Sequence, residues 1–330
     1  MKLAIVGCTG LVGNVILKVL DEFSIEISEL TLVASSKSIG KKIVFRNKEI
    51  GVVTISEASK KELDVAIFSA GSSVSKEWAQ KFVDNGTKVI DNSSFWRMKK
   101  DIPLIVPEVN GKDIAKSNKI IANPNCSTIQ MVVALNNIYS KFGIKRIVIS
   151  TYQSVTGTGA AAVQQMDDER KGIKGNKVYP HPIDQNCFPH GGEFLENGYT
   201  TEELKLVDET KKIFNNKNLK ITATVVRIPV IGGHSESVNI ETIQPFKLKD
   251  IMETLENTKG VKVLDNPKKF EYPMPINAHL KNDVFVGRIR LDETIKNGLN
   301  MWIVADNLRK GAATNAVQIA DYMFQNKLLQ

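Results

Sequence analysis

Residues 2–13 read Lys2-Leu3-Ala4-Ile5-Val6-Gly7-Cys8-Thr9-Gly10-Leu11-Val12-Gly13. A mainly apolar run ends at Gly7, and Gly10 and Gly13 follow at a spacing of three before a helical pattern over residues 12–22. Glycines between a first strand and a first helix permit a sharp turn. They also let the backbone approach a pyrophosphate, which the positive end of the helix attracts. A glycine turn that merely packs is the competing reading. Position within the opening strand–turn–helix unit favours the nucleotide.

Outward from that unit, further β-type runs are expected at 29–34, 64–69, 87–91, 103–106 and 119–122, with a small β excursion over 43–55. A helix starting near Ser75 lies between the runs at 64–69 and 87–91. This alternation implies a mostly parallel sheet covered on both faces. A helix-like segment follows Cys126, and the texture then changes. Runs at 145–152, 219–230, 234–245, 283–292 and 299–305 alternate partially, with helical insertions at 159–170, 201–215 and 248–257. The expected fold is α/β: a Rossmann-type nucleotide-binding domain plus a second, α+β domain with a mixed, largely antiparallel sheet. Residues 172–200, rich in Gly, Pro, Asn and His, form a long ordered excursion of the kind that is usually functional. The helix at 312–328 could serve either domain.

The chain's 330 residues and 36.6 kDa suit two domains. With 42% hydrophobic and 24% charged residues, composition excludes disorder and a disulfide scaffold. Cys8, Cys126 and Cys187 make an odd number, which implies a reducing compartment. No apolar run is long enough to span a membrane, and Met1 leads straight into a strand-like segment, so a cytoplasmic protein is expected. The net charge of +8 is dispersed; it favours small anions over nucleic acid. Cysteines and histidines lack the short spacings of zinc sites, and no metal is expected.

The second strand ends Ala34-Ser35-Ser36-Lys37-Ser38, with Gly40-Lys41-Lys42 close behind. An NAD ribose calls for an acidic residue there. Hydroxyls and cations suit a 2′-phosphate instead, so NADP is expected; a solvated basic turn is the plain alternative. At 122–130 the chain reads Ala-Asn-Pro-Asn-Cys-Ser-Thr-Ile-Gln. Asn-Pro-Asn closes a strand, and Cys126 stands where a helix begins. Helix N-terminal N–H groups favour a thiolate, which makes Cys126 a candidate nucleophile rather than a packed small hydrophobe. The later steps of thiolate chemistry need proton transfer. In Arg227-Ile-Pro-Val-Ile-Gly-Gly-His234-Ser235, the proline and the paired glycines break the strand. His234 could then turn to a cleft as acid–base, with His181 and His190 as rivals.

Together these segments resemble the aspartate-semialdehyde dehydrogenase family, in its bacterial form, over essentially the whole chain. The specific elements include GCTGLVG at 7–13, FSAGSSVS at 68–75, DNSSFWR at 91–97, NPNCSTIQ at 123–130, TYQSVTGTG at 151–159, EELK at 202–205, RIPVIGGHS at 227–235 and DNLRKGAA at 306–313. The resemblance implies Cys126 as nucleophile, His234 as acid–base and Gln153 as an orienting group. It implies Arg227 on the substrate carboxylate and Glu202 on the amine, with Arg97 and Lys205 on the phosphate and Asn92 and Ser94 beside them. The cofactor set it implies is Gly7, Thr9, Gly10, Leu11, Val12, Gly13, Ser35, Ser38, Gly71, Thr156, Gly157 and Asn307. It further implies NADP, a homodimer, and an NADP domain of residues 1–125 and 307–330 around a catalytic and dimerisation domain of 126–306. Departures are Thr158 in a turn that usually reads V-S-G-A-G, Trp96 for the usual Phe, and Lys37 for a common Arg. N-acetyl-glutamyl-phosphate reductase shares the chemistry but needs no partner for an ammonium. Glyceraldehyde-3-phosphate dehydrogenase would want the missing acidic ribose residue. A silent nucleotide-binding regulator would have no need of the Cys–Gln–His set.

Overall fold

A computed structural model describes residues 1–329. It separates into two compact units, the first comprising Met1–Asn125 and the chain from Ala312 onward, the second Cys126–Gly311. The return to the first unit thus falls at Ala312 rather than at the expected Asn307.

The first unit runs β1 (Lys2–Val6), α1 (Leu11–Glu22), β2 (Glu29–Val33), β3 (Lys42–Phe45), β4 (Lys48–Val53), α2 (Ile55–Ala58), β5 (Val65–Phe68), α3 (Ser72–Asp84), β6 (Lys88–Asp91), α4 (Pro107–Asn110) and β7 (Ile120–Ala122). Its seven strands lie in the order β3-β4-β2-β1-β5-β6-β7. Only β3 is antiparallel to its neighbour. The alternation of β1 explains the two covered faces: Leu3 and Ile5 enter one core with Ile16 and Leu20 of α1, while Ala4 and Val6 enter another with Phe82 of α3. Strand order reverses at β1, so the carboxyl ends of β1 and its neighbours frame a ligand crevice of the doubly wound kind.

The expected strand at 103–106 is absent. Leu104 makes an isolated bridge to Ala122, because Pro103 cannot donate to a ladder and Pro107 opens α4, where its fixed φ suits a first helical turn.

The second unit runs α5 (Cys126–Phe142), β8 (Ile144–Gln153), α6 (Ala160–Arg170), α7 (Thr201–Ile213), β9 (Lys220–Arg227), β10 (His234–Thr242), α8 (Leu248–Glu256), β11 (Val261–Val263), α9 (Pro275–Ala278), β12 (Val284–Asp292) and β13 (Gly298–Ala305). Its six-stranded sheet has the order β11-β12-β13-β10-β8-β9. The β8–β9 and β11–β12 pairs are parallel and the rest antiparallel. The three-residue β11 has no counterpart in the sequence reading, being too short to show a period. Helix α10 (Thr314–Gln325) closes the first unit, its Ala316, Val317, Ala320 and Met323 joining the core of α1.

Candidate active site

In the first unit, the residues expected to bind nucleotide and anion all follow strand ends. Gly7 leaves β1 at φ +92°, and a Cβ on Gly13 would stand 2.2 Å from the Gly7 carbonyl oxygen. Only a side-chain-free residue lets α1 pack that closely on the turn. Thr9, Gly10 and Leu11 are exposed over the helix N-terminus. After β2, Ser35, Ser36 and Lys37 are exposed and Ser38 is buried, and residues 34–42 carry no carboxylate. Gly71, at φ +88°, precedes α3 after β5. After β6, Asn92 Nδ2 donates to the Phe68 carbonyl at 3.1 Å, and Asn92 Oδ1 accepts from Asn123 at 2.7 Å. Arg97 donates to the Asn92 carbonyl at 2.7 Å, and the Ser94 hydroxyl lies 3.3 Å from that of Ser72. Burial raises the Asp91 carboxyl above its ordinary range, against hydrogen bonds from Ser93 and Ser75 and the charge of Arg97.

In the second unit, sheet register does the assembling. Gln153 and Arg227 are the last paired residues of parallel β8 and β9. Antiparallel β10 sets Ser235 opposite Tyr152, which brings His234 to the same edge. Cys126, half-buried, is the first residue of α5. The neighbouring Ser127 hydroxyl accepts from Gln153 Nε2 at 3.0 Å. Gln130, one turn along, donates to the His234 carbonyl at 3.3 Å. A Cβ on Gly311 would stand 2.7 Å from Cys126 Cβ, so the chain passes tightly against the cysteine.

His234 is 0% exposed. Its Nδ1 accepts the Ser154 backbone N–H at 3.0 Å. This fixes the tautomer: the proton sits on Nε2, which has no partner among the described residues. Burial above all, and then the Arg227 guanidinium, push its pKa down to about 3 against the pull of Glu202. The imidazole is therefore a neutral donor over the working pH range. Arg227 Nη1 donates to the Ser154 carbonyl at 2.7 Å. Gly157 lies over both, since a Cβ there would be 3.1 Å from the His234 ring and 3.3 Å from Arg227 Nη1. Glu202 and Lys205 pair with each other at 2.7 Å on α7. Thr156 donates to Asn307 Oδ1 at 3.0 Å. His190 stacks on Phe194 at 4.5 Å and His181 lies 6.3 Å from Phe188.

Sequence reading missed Ser154, whose contribution is a backbone N–H and carries no side-chain signal. It also missed Glu236. That residue is wholly buried on β10 opposite Thr151, with both carboxyl oxygens lacking a hydrogen bond within 3.5 Å among the described residues. Burial raises its pKa well above the ordinary range, against the opposing effect of Gln130. The signal was legible, since period-2 alternation puts residue 236 on the face of buried Val238 and Ile240.

A glycine turn in one unit, and in the other a glutamine, histidine and arginine at one end of the sheet beside a helix that begins with cysteine, suit a dehydrogenase, and comparison makes the class specific. The family models for "semialdehyde dehydrogenase, NAD binding domain" and "semialdehyde dehydrogenase, dimerisation domain" match residues 2–117 and 135–310. An aspartate-semialdehyde dehydrogenase of Aquifex aeolicus is 52% identical over 99% of both chains. The crystal structure of aspartate semialdehyde dehydrogenase II of Vibrio cholerae, complexed with ASA, superposes with a TM-score of 0.95 at 43% identity over 98% of each chain. An enzyme of Candida albicans solved with NADP gives a TM-score of 0.77 at 25% identity, over 99% of this chain and 100% of that one. The chain belongs to the aspartate-semialdehyde dehydrogenase family.

Proposed function

We propose that the protein reduces L-4-aspartyl phosphate to L-aspartate 4-semialdehyde and phosphate, reversibly, with NADPH. The observation that carries this is the meeting of Gln153, Arg227 and His234 on one sheet edge, tied through Ser127 and Gln130 to the helix that begins with Cys126.

The residues after β1 and β2 fit NADP. The Gly7–Gly13 turn brings side-chain-free backbone to the N-terminus of α1, as a pyrophosphate requires, and Ser35, Lys37 and Ser38 offer hydroxyls and a cation where NAD would need a carboxylate. Gly71, Thr156, Gly157 and Asn307 complete the set by family resemblance. When bound, the nicotinamide supplies the hydride that reduces the acyl group.

Cys126 Sγ attacks the acyl carbon, the bond to the phosphate oxygen breaks, and a thioester remains on the cysteine. His234, the acid–base residue, offers its Nε2–H to the substrate oxygen as a hydrogen bond while charge develops there, and that oxygen re-forms the carbonyl as the carbon–sulfur bond breaks and the thiolate is restored. A neutral imidazole suits this role because it donates a hydrogen bond without first having to be charged in a dry site. Gln153 orients the acyl oxygen. Arg227 pairs with the α-carboxylate as a fork, and Glu202 takes the ammonium. Arg97, Asn92, Ser94 and Lys205 are assigned to the phosphate by family resemblance. The protein works as a cytoplasmic homodimer.

The test is phosphate-dependent reduction of NADP by the purified protein with L-aspartate semialdehyde. A lower KM for NADPH than for NADH is expected; a clear NADH preference would refute the cofactor assignment. Comparable activity on N-acetyl-glutamate semialdehyde would refute the substrate assignment.

A further inference from the structure

Tyr179 belongs to the excursion between α6 and α7, which the mechanism above does not use. Its ring is buried in a small core with Val155, Ala162, Met166, Ile183 and Phe188. Gln165 of α6 anchors the segment, accepting the backbone N–H groups of Val178 at 2.6 Å and Tyr179 at 2.9 Å. From this fixed seat the side chain makes two contacts toward the site. Its hydroxyl donates to Thr158 Oγ1 at 2.7 Å. Its ring centroid lies 5.9 Å from the guanidinium carbon of Arg227, at the outer range of a cation–π contact. Phe188 meets the tyrosine ring at 5.3 Å and exchanges backbone hydrogen bonds with Arg227 at 2.9 and 3.2 Å.

Tyr179 is thus wedged between the arginine and the turn that carries Thr156 and Gly157. That turn has no slack. A methyl group at Gly157 would already press on His234 and Arg227, so a shift of a few tenths of an ångström at Thr158 reaches both through one peptide unit. The alanine usual in the family at position 158 offers no acceptor; Thr158 gives this chain a hydroxyl for Tyr179 to hold.

We propose that Tyr179 is a positioning residue for the amino-acid end of the substrate, holding the 155–158 turn through Thr158 and the Arg227 guanidinium through its ring. The proposal rests on the assignment of Arg227 to the substrate carboxylate. The experiment compares KM for L-aspartate semialdehyde and for phosphate in the wild-type protein, Tyr179→Phe, Thr158→Ala, the double variant and Tyr179→Leu. Each single hydroxyl deletion should raise KM for the semialdehyde by about three- to tenfold, the span of one neutral hydrogen bond. KM for phosphate should stay within about twofold. The double variant should match either single one, because both remove the same bond. Tyr179→Leu, which also removes the ring beside Arg227, should exceed both. An unchanged semialdehyde KM in Tyr179→Phe, or single effects that multiply in the double variant, would overturn the proposal. So would a fall in melting temperature with every KM unchanged, which is the mark of a packing role alone. Failure of the wild-type protein to turn over L-aspartate semialdehyde would instead refute the functional reading, and the proposal with it.

Discussion

A buried ionisable side chain is informative because water no longer explains its state. His234 and Glu236 stand two residues apart on one face of β10, and burial favours the neutral form of both, from opposite directions. The histidine keeps a proton on Nε2 because a backbone N–H occupies Nδ1. Burial makes the glutamate hard to ionise, and Gln130 offsets that cost only in part. The sign of its effect on stability follows. Above about pH 4.5 an unfolded glutamate ionises while burial resists ionisation of the folded one, so its stabilising contribution is present below that pH and is lost as pH rises. Glu236→Gln should therefore raise the melting temperature at pH 8. The gain should shrink toward pH 4. Thermal melts at the two pH values check this, and a lower melting temperature at pH 8 would contradict it. At this scale the sequence was partly readable. Cys126 and His234 stood out through their flanking Pro and Gly residues. The tautomer did not, because a backbone group from β8 sets it, and register between distant strands has no local signature.

The elements that place the site were legible where their period was long or their caps explicit. Both units' principal strands and the helices beginning near Leu11, Cys126, Thr201 and Leu248 fall close to the sequence reading. It failed at 103–106, where apolar residues suggested a strand but proline at either side prevented a ladder. It also failed to place Tyr179, since a loop's destination depends on what it packs against. The turn after β1 makes the sharpest prediction at this level. Gly13→Ala would put a methyl group 2.2 Å from the Gly7 carbonyl oxygen and 2.7 Å from Cys8 Cα, so the turn must move. Overpacking of this kind costs about 1–3 kcal/mol. If the turn cradles the pyrophosphate, the Kd for NADPH should rise about tenfold or more, with the far-ultraviolet circular dichroism preserved. Undiminished binding by fluorescence titration would contradict the assignment.

For the whole molecule, the chain's course matters more than any motif. It leaves the first unit after Asn125, builds the second, and returns through α10. The sequence showed that last helix but not its destination, because an apolar face specifies burial and not the partner; family resemblance supplied the partner. The match of residues 135–310 to a dimerisation domain predicts a particle of twice the 36.6 kDa chain mass in sedimentation equilibrium at micromolar concentration. A monomer under those conditions would contradict the dimer.

The account stands or falls on covalent chemistry at one sulfur. Mixing the protein with L-aspartate semialdehyde and NADP in the absence of phosphate should give a burst of NADPH approaching one per active site. Mass spectrometry should then find an aspartyl adduct on Cys126 that added phosphate discharges. Steady reduction of NADP by Cys126→Ala, or an adduct on Cys8 or Cys187 instead, would contradict it.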